Sequence, residues 1–73
     1  MTKEDFLSCR RFTKKGDYGK KFIYREESGA LYQEIYGAEY FFATVENIKA
    51  DGFTLVLFFF PRTRISFKDL QFI

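Results

Sequence analysis

The pattern of apolar and polar positions changes along this 73-residue chain from a helical period to a strand period. Near the start, apolar residues recur at every third position: Phe6, Cys9 and Phe12. This spacing predicts a helix over residues 3–12, which must dock on an apolar surface because so short a helix is not stable alone. Thr2 is a suitable N-cap, and acidic residues follow it in the first turn.

Six segments after residue 21 combine apolar and β-branched residues with turn residues between them, which predicts an antiparallel sheet. The predicted strands cover about 22–27, 30–36, 39–50, 53–60, 63–67 and 70–73. Residues 13–21 are predicted to form a basic loop, because two glycines and an aspartate interrupt any period. Ser28-Gly29 and Asp51-Gly52 are predicted hairpin turns. We interpret the whole chain, residues 1–73, as one domain.

The predicted strand 53–60 is apolar at its odd positions and nearly so at its even positions. A strand of this kind is covered on both faces. One face would line the interior of a barrel, and the other would lie under the N-terminal helix or against another molecule. The alternative architecture is an α+β fold, in which the helix packs on an open antiparallel sheet.

The last third of the chain resembles the closing part of small SH3-like and Sm-like β-barrels. Three segments carry the resemblance: Ala43–Ile48, Asp51–Leu55 and Ile65–Ile73. It implies a mainly β fold, a five-stranded SH3-like barrel or strongly bent antiparallel sheet with one N-terminal helix and a 3₁₀ turn between the last two strands. The loop Pro61–Arg64 lacks the Asn or His residues of Sm-type RNA sites, so the resemblance implies a fold and no function.

The composition argues against catalysis and against a membrane span. The chain has no His, which is the commonest general base, and its single cysteine, Cys9, lies on the predicted apolar stripe of the helix. We therefore expect no enzyme, no metal and no cofactor. One cysteine forms no intramolecular disulfide, and no apolar run is long enough to cross a bilayer as a helix. These features favour a cytoplasmic protein.

Eleven Phe and five Tyr are a heavy aromatic load for this length. Large buried rings first stabilise a small core, and any surplus indicates an interface. The candidate interface residues are Tyr32, Tyr36, Tyr40, Phe42, Phe58 and Phe60. The first four share strand parity, so on unbroken strands they would lie on one face of the sheet. Packing in the core is the alternative for this group.

Charge is separated along the chain: residues 1–25 have a net charge of +5, residues 26–60 of −5, and residues 61–73 of +2. The predicted basic loop combines lysines with two glycines, which allow backbone N–H groups to approach phosphate. The candidate polyanion contacts are Lys14, Lys15, Tyr18, Lys20, Lys21, Arg62 and Arg64. The alternative for the basic loop is a solvated connector without a binding role. The alternative for Arg62 and Arg64 is that their outward charges protect an edge strand from aggregation.

The leading hypothesis is a small, non-enzymatic protein-interaction module that self-associates, because its apolar strand and its tyrosines exceed what a lone barrel needs. The alternative is a nucleic-acid-binding barrel that uses the basic loop. A third hypothesis is a small inhibitor or accessory protein of a mobile element, whose acidic strands mimic nucleic acid. We expect a protein partner or a second copy, with nucleic acid as the alternative, and neither a membrane nor a small-molecule substrate.

Overall fold

The computed structural model describes residues 1–73 and is mainly β, with one short N-terminal helix. Seven strands form a single antiparallel, nearly closed barrel-shaped sheet. The helix is α1 (Lys3–Leu7), and the strands are β1 (Phe12–Lys14), β2 (Asp17–Arg25), β3 (Ala30–Ile35), β4 (Ala38–Lys49), β5 (Gly52–Val56), β6 (Thr63–Ser66) and β7 (Leu70–Phe72). Their order in the sheet is β6-β5-β4-β3-β2-β1-β7.

The sheet curves into a barrel because its two edge strands, β6 and β7, are consecutive in the chain. A single 3₁₀ turn, Phe67–Asp69, joins them. At its start the Phe67 N–H donates to the Asp51 carbonyl (2.9 Å), and at its end the Asp69 carbonyl accepts from the Lys15 N–H (2.9 Å). The turn is therefore fastened both to the β4–β5 turn and to the β1–β2 hairpin.

Phe6 of α1 is the centre of the hydrophobic core. Its fully buried ring stacks on Tyr24, with ring centroids 4.6 Å apart, and on Phe53, at 4.5 Å. The rings of Phe12 and Phe67 lie 5.8 Å and 5.4 Å away. A helix of five residues has no stability of its own, so this packing holds it in place.

A capping box fixes the start of α1. The Asp5 N–H donates to the Thr2 hydroxyl oxygen (3.2 Å), and the Asp5 carboxylate accepts from the Thr2 N–H (3.0 Å). The second of these hydrogen bonds lowers the pKa of Asp5 below its ordinary value of 3.8. The cap orients the helix so that Phe6 points into the barrel.

The predicted helix over residues 3–12 is wrong beyond Leu7. Cys9 has a φ of 59°, in the left-handed region, which ends the right-handed helix. Phe12 belongs to β1 and is buried beside Phe6. The spacing of three that predicted one helix comes from two elements that point into the same core.

The predicted basic loop, residues 13–21, is wrong as well, since it forms the β1–β2 hairpin. Its turn is Lys15-Gly16, and Gly16 has the positive φ (90°) that such a turn requires. The buried Thr13 hydroxyl lies 2.8 Å from the Asp17 carbonyl oxygen and 2.7 Å from that of Lys20, so its proton bonds across the hairpin. This side-chain contact offsets the weak strand pattern of the segment.

Two turns differ from their predicted positions. The β2–β3 turn spans residues 26–29 rather than Ser28-Gly29 alone. The β4–β5 turn is centred on Ala50-Asp51, because Lys49 pairs with Gly52. Gly52 already belongs to β5, where a Cβ atom would overlap the backbone carbonyl of Ile65. Glycine is required there for close packing of β5 on β6 rather than for the turn.

The predicted strand 53–60 is wrong in its second half, because β5 ends at Val56. Beyond it the chain forms a turn in which the Phe60 N–H donates to the Leu57 carbonyl (3.3 Å). The apolar run therefore divides into a half-buried strand and an exposed loop.

Replacing Phe6 by Ala should lower the free energy of unfolding by about 3–5 kcal/mol, because the cavity left by its ring lies at the centre of the core. Urea denaturation followed by circular dichroism measures the change. Phe59→Ala is the matched control, since Phe59 is exposed and its loss should cost less than about 0.5 kcal/mol. Equal losses for the two variants would contradict the central position of Phe6.

Candidate functional site

An open cleft of about 430 Å³ lies between β6 and the β1–β2 hairpin. Eight apolar residues line it: Phe12, Phe22, Leu31, Phe42, Phe53, Leu55, Ile65 and Leu70. Phe22 and Phe42 meet edge to face with their ring centroids 5.0 Å apart, and both are only partly buried. Phe6 does not line the cleft. The ring of Phe6 fills one part of the barrel, and the cleft is the part that the chain leaves open.

Polar groups surround this apolar wall. The β1–β2 hairpin contributes Lys14, Asp17 and Lys20, and Asp69 lies beside them at the end of the 3₁₀ turn. Lys20 and Asp17 form a long ion pair of 3.8 Å. Gln33 of β3 also lines the cleft with its half-buried side chain, whose amide can donate and accept hydrogen bonds. The cleft thus combines an apolar wall with a polar rim, in which Lys14 and Asp69 form no ion pair.

Arg64 of β6 completes the opposite rim of the cleft. Its guanidinium donates to the Asn47 carbonyl (2.7 Å) and to the Asp51 carboxylate (2.9 Å). The hydrogen bond from Arg64 lowers the pKa of Asp51 below its ordinary value of 3.8. Arg64 is therefore held against the β4–β5 turn and is not free to turn toward a ligand.

The segment Leu57–Arg62, here called the aromatic loop, joins β5 to β6 and carries three consecutive exposed phenylalanines. Phe58 is 91% exposed, Phe59 87% and Phe60 68%. The rings of Phe58 and Phe59 meet edge to face, with centroids 4.6 Å apart, and contact little else. The loop begins two residues after Leu55 and ends before Thr63. Leu55 and Thr63 pair with each other, and both line the cleft. Its apolar surface therefore adjoins the cleft.

A segment of β4, Ala38–Ala43, has a strand partner on one side only and is here called the open edge. It pairs with β3, whereas pairing between β4 and β5 begins at Thr44. In an antiparallel ladder, alternate residues point their N–H and C=O groups away from the partner strand. No backbone hydrogen bond joins the aromatic loop to the open edge. Some main-chain groups of this segment are therefore available for pairing.

The structure separates the tyrosines that share strand parity. A bulge in β4 makes Tyr32 pair with Phe41, and these two rings meet edge to face at 6.2 Å. Tyr40 pairs with Gln33, which places it on the other face of the sheet. Tyr36 lies in the β3–β4 turn with a φ of 50° and is fully exposed. The shared face that the parity predicts for unbroken strands does not form.

Within the predicted interface set, exposure is uneven. Phe58, Phe60, Tyr36 and Tyr40 are exposed. Phe42 is a wall of the cleft, and Tyr32 is half-buried with its hydroxyl donating to Ser28 (2.9 Å). Phe41 and Phe59 are exposed aromatics that the sequence reasoning missed. Phe59 was assigned to a buried strand face, and the bulge that exposes Phe41 leaves no local sequence signal.

The predicted polyanion contacts form two separate groups. Lys14, Lys15, Tyr18, Lys20 and Lys21 lie on the β1–β2 hairpin and are all exposed. Arg62 is bound to Glu46, and Arg64 to Asp51. Lys14, Lys20 and Arg64 line the same cleft from its two sides. The exposed hairpin lysines are therefore separate from the two arginines, which are paired with acidic residues of β4 and of the β4–β5 turn.

Other chemical groups are dispersed. Cys9 is half-buried, and its thiol lies 3.7 Å from the Leu7 carbonyl oxygen. Arg11 pairs with Glu34 (3.0 Å) and Arg25 with Glu39 (2.6 Å) on the outside of the sheet. No three His, Cys, Asp or Glu side chains are grouped so that they could hold a metal ion. No helix has the length and apolar character needed to cross a membrane.

Comparison of the chain with protein-family models, with curated proteins and with solved structures finds no match. The candidate site is therefore defined by its geometry: the cleft, the aromatic loop and the open edge.

Acidification should weaken the contact between Asp51 and Arg64. Because the folded-state pKa of Asp51 is lowered, its contribution to stability is complete above the unfolded pKa and is lost as the pH falls through the folded pKa. The melting temperature of wild type should exceed that of Asp51→Asn at pH 7, and the difference should shrink below about pH 3.8. Glu27→Gln, which removes an exposed carboxylate without an ion pair, is the control. A difference that is constant with pH would contradict the assignment.

Proposed function

We propose that this protein is a small, non-enzymatic interaction module that self-associates through the aromatic loop and the open edge. The observation that carries the proposal is the exposure of three consecutive phenylalanines, Phe58 to Phe60, beside an unpaired strand edge. The partner that we propose is a second copy of the chain.

Burial of the aromatic loop would supply the free energy of association. A phenylalanine ring buries about 150–250 Å² when it is fully covered, and apolar burial contributes roughly 25 cal/mol per Å². Three rings would together remove about 450–750 Å² from water, close to the contribution of one partner in a standard interface. Exposed apolar patches of this size mark interaction sites on soluble proteins.

The open edge would supply direction and register. An unpaired strand edge is a template for pairing with another strand. An antiparallel edge is compatible with a two-fold axis, because each copy then offers the same segment to the other. Tyr40 and Phe41, both exposed on the open edge, would be covered in such a pair. Glu39 is the one charged residue of the open edge, and its ion pair with Arg25 offsets the repulsion between the two copies.

We also propose that the barrel belongs to the SH3-like class. The 3₁₀ turn between its last two strands and a long β4 that changes partner from β3 to β5 at Thr44 support this class. Strand β1 and the first part of β2 would then be additions to a five-stranded barrel. This assignment concerns the architecture, and the interaction surface stands on its own geometry.

Sedimentation velocity over a range of concentrations tests the proposal. Wild type should shift from the monomer mass of 8.7 kDa toward about twice that value. The triple variant Phe58→Ser, Phe59→Ser, Phe60→Ser should remain a monomer with an unchanged melting temperature, because its side chains are exposed in the monomer. The matched control is Tyr18→Ser with Ile73→Ser, which removes exposed apolar residues elsewhere. The proposal of self-association would be overturned if wild type stayed monomeric or if the triple variant still dimerised.

A second candidate function is nucleic-acid binding by the β1–β2 hairpin. It is favoured by the lysines Lys14, Lys15 and Lys21, which form no ion pair, and by the exposed ring of Tyr18 between them. The ammonium groups would contact phosphates while the tyrosine stacks on a base. The acidic strands β3 and β4 restrict any such surface to this one hairpin.

Fluorescence anisotropy with an oligothymidine at several salt concentrations tests this second candidate. If the hairpin binds, exchanging Lys14, Lys15, Lys20 and Lys21 for Gln should abolish binding or lower the salt slope of log K by up to roughly 3. Arg62→Gln should change the affinity and the salt slope little, because Arg62 forms an ion pair with Glu46. Absence of binding by wild type at low salt, or an unchanged slope in the lysine variant, would exclude this candidate.

A further inference from the structure

The cleft has the size and lining of a ligand site. Its volume of about 430 Å³ lies within the range of roughly 300–1,000 Å³ typical of small-molecule pockets. Half of its lining residues are apolar, and they come from all seven strands. Four of its apolar residues, Phe12, Leu31, Phe53 and Leu70, are buried members of the core, so the cleft opens directly onto the core.

The chain itself does not fill the cleft. All three phenylalanines of the aromatic loop are exposed to solvent, and none of them lines the cleft. Phe22, Phe42, Leu55 and Ile65 therefore remain only partly buried. A linear apolar group placed against them would remove their exposed surface from water, which is favourable.

The polar groups at the rim define the other end of the ligand. The β1–β2 hairpin carries four lysines, and only two acids, Asp17 and Asp69, lie at the rim beside them. Asp17 is already paired with Lys20, whereas Lys14 lines the cleft and has no ion pair. Gln33 lines the cleft as well, and its amide N–H groups are hydrogen-bond donors. These groups offer donors and positive charge to an anionic head group.

We propose that the cleft binds a single-chain amphiphile with a carboxylate head group. Its apolar chain lies against Phe22, Phe42 and Leu55, and its carboxylate accepts hydrogen bonds from Lys14 and from the Gln33 amide. The charge of the hairpin selects an anion over a cation, and the apolar wall selects an alkyl chain over a polar solute. The site shares no residue with the aromatic loop, and Phe42 is the one residue that it shares with the open edge.

Amide chemical shifts measured by NMR during titration with decanoate, below its micelle concentration, test this proposal. Decanoate should shift the amides of Phe22, Gln33 and Leu55 and leave those of α1 unchanged. Lys14→Gln should weaken the affinity by about tenfold, which is typical of the loss of one charge-assisted hydrogen bond. Decanol and decyltrimethylammonium carry the same alkyl chain and serve as matched probes, and both should bind more weakly than decanoate.

Two variants, Leu55→Trp and Ile65→Trp, are designed to fill the cleft. If one of them does not fold, the other still tests the proposal. Either variant that retains a folded NMR spectrum should lose the decanoate shifts, because the indole occupies the cleft. The aromatic-loop variant with three serines should retain them, even if it no longer self-associates. The proposal would be overturned if wild type showed no shifts, or if decanoate and decyltrimethylammonium bound equally well. It would also be overturned if a folded tryptophan variant still bound decanoate, or if the loop variant no longer did.

Discussion

The structure depends on the insertion of one side chain, Phe6, into a barrel that has little else with which to fill itself. Only 13 of 73 residues are buried, so a single central ring accounts for a large share of the core. It contacts rings from β1, β2, β5 and the 3₁₀ turn, and thereby joins both ends of the sheet. A capping box on a five-residue helix is sufficient to deliver that ring. A small domain of this size has no surplus of burial to replace it.

A second constraint is the change of partner along β4. Its first half pairs with β3 and its second half with β5, and only Thr44 pairs with both. The pairing with β5 is irregular around Asn47, whose φ is positive (51°). Because β5 pairs with β4 only from Thr44 onward, the open edge has no strand on the side opposite β3. The chain beyond Val56, released from the sheet, forms the aromatic loop. The exposed aromatics and the unpaired edge therefore share one cause, which is the early separation of β5 from β4.

Much of the sheet could be predicted from local patterns, whereas the site could not. The segments β3, β4, β6 and β7 lie close to their predicted ranges, because alternation and turn residues agree there. The helix was overextended because Phe6 and Phe12 face one core from two elements. The β1–β2 hairpin was missed because Thr13, rather than an apolar pattern, holds it together. The cleft depends on the packing of all seven strands, and no local pattern encodes it.

The pairing of Phe12 with Phe72 has a consequence for how the barrel forms. Contacts so distant in sequence are the slowest to be made, since the loop between them must first be ordered. During synthesis, β1 and the ring of Phe6 wait for almost the entire chain before their partners in the 3₁₀ turn and β7 exist. The middle strands β2 to β5 pair locally and are complete earlier. We therefore expect barrel closure to be the last step of folding, with the N-terminal aromatic residues open to chaperones and to aggregation until that step.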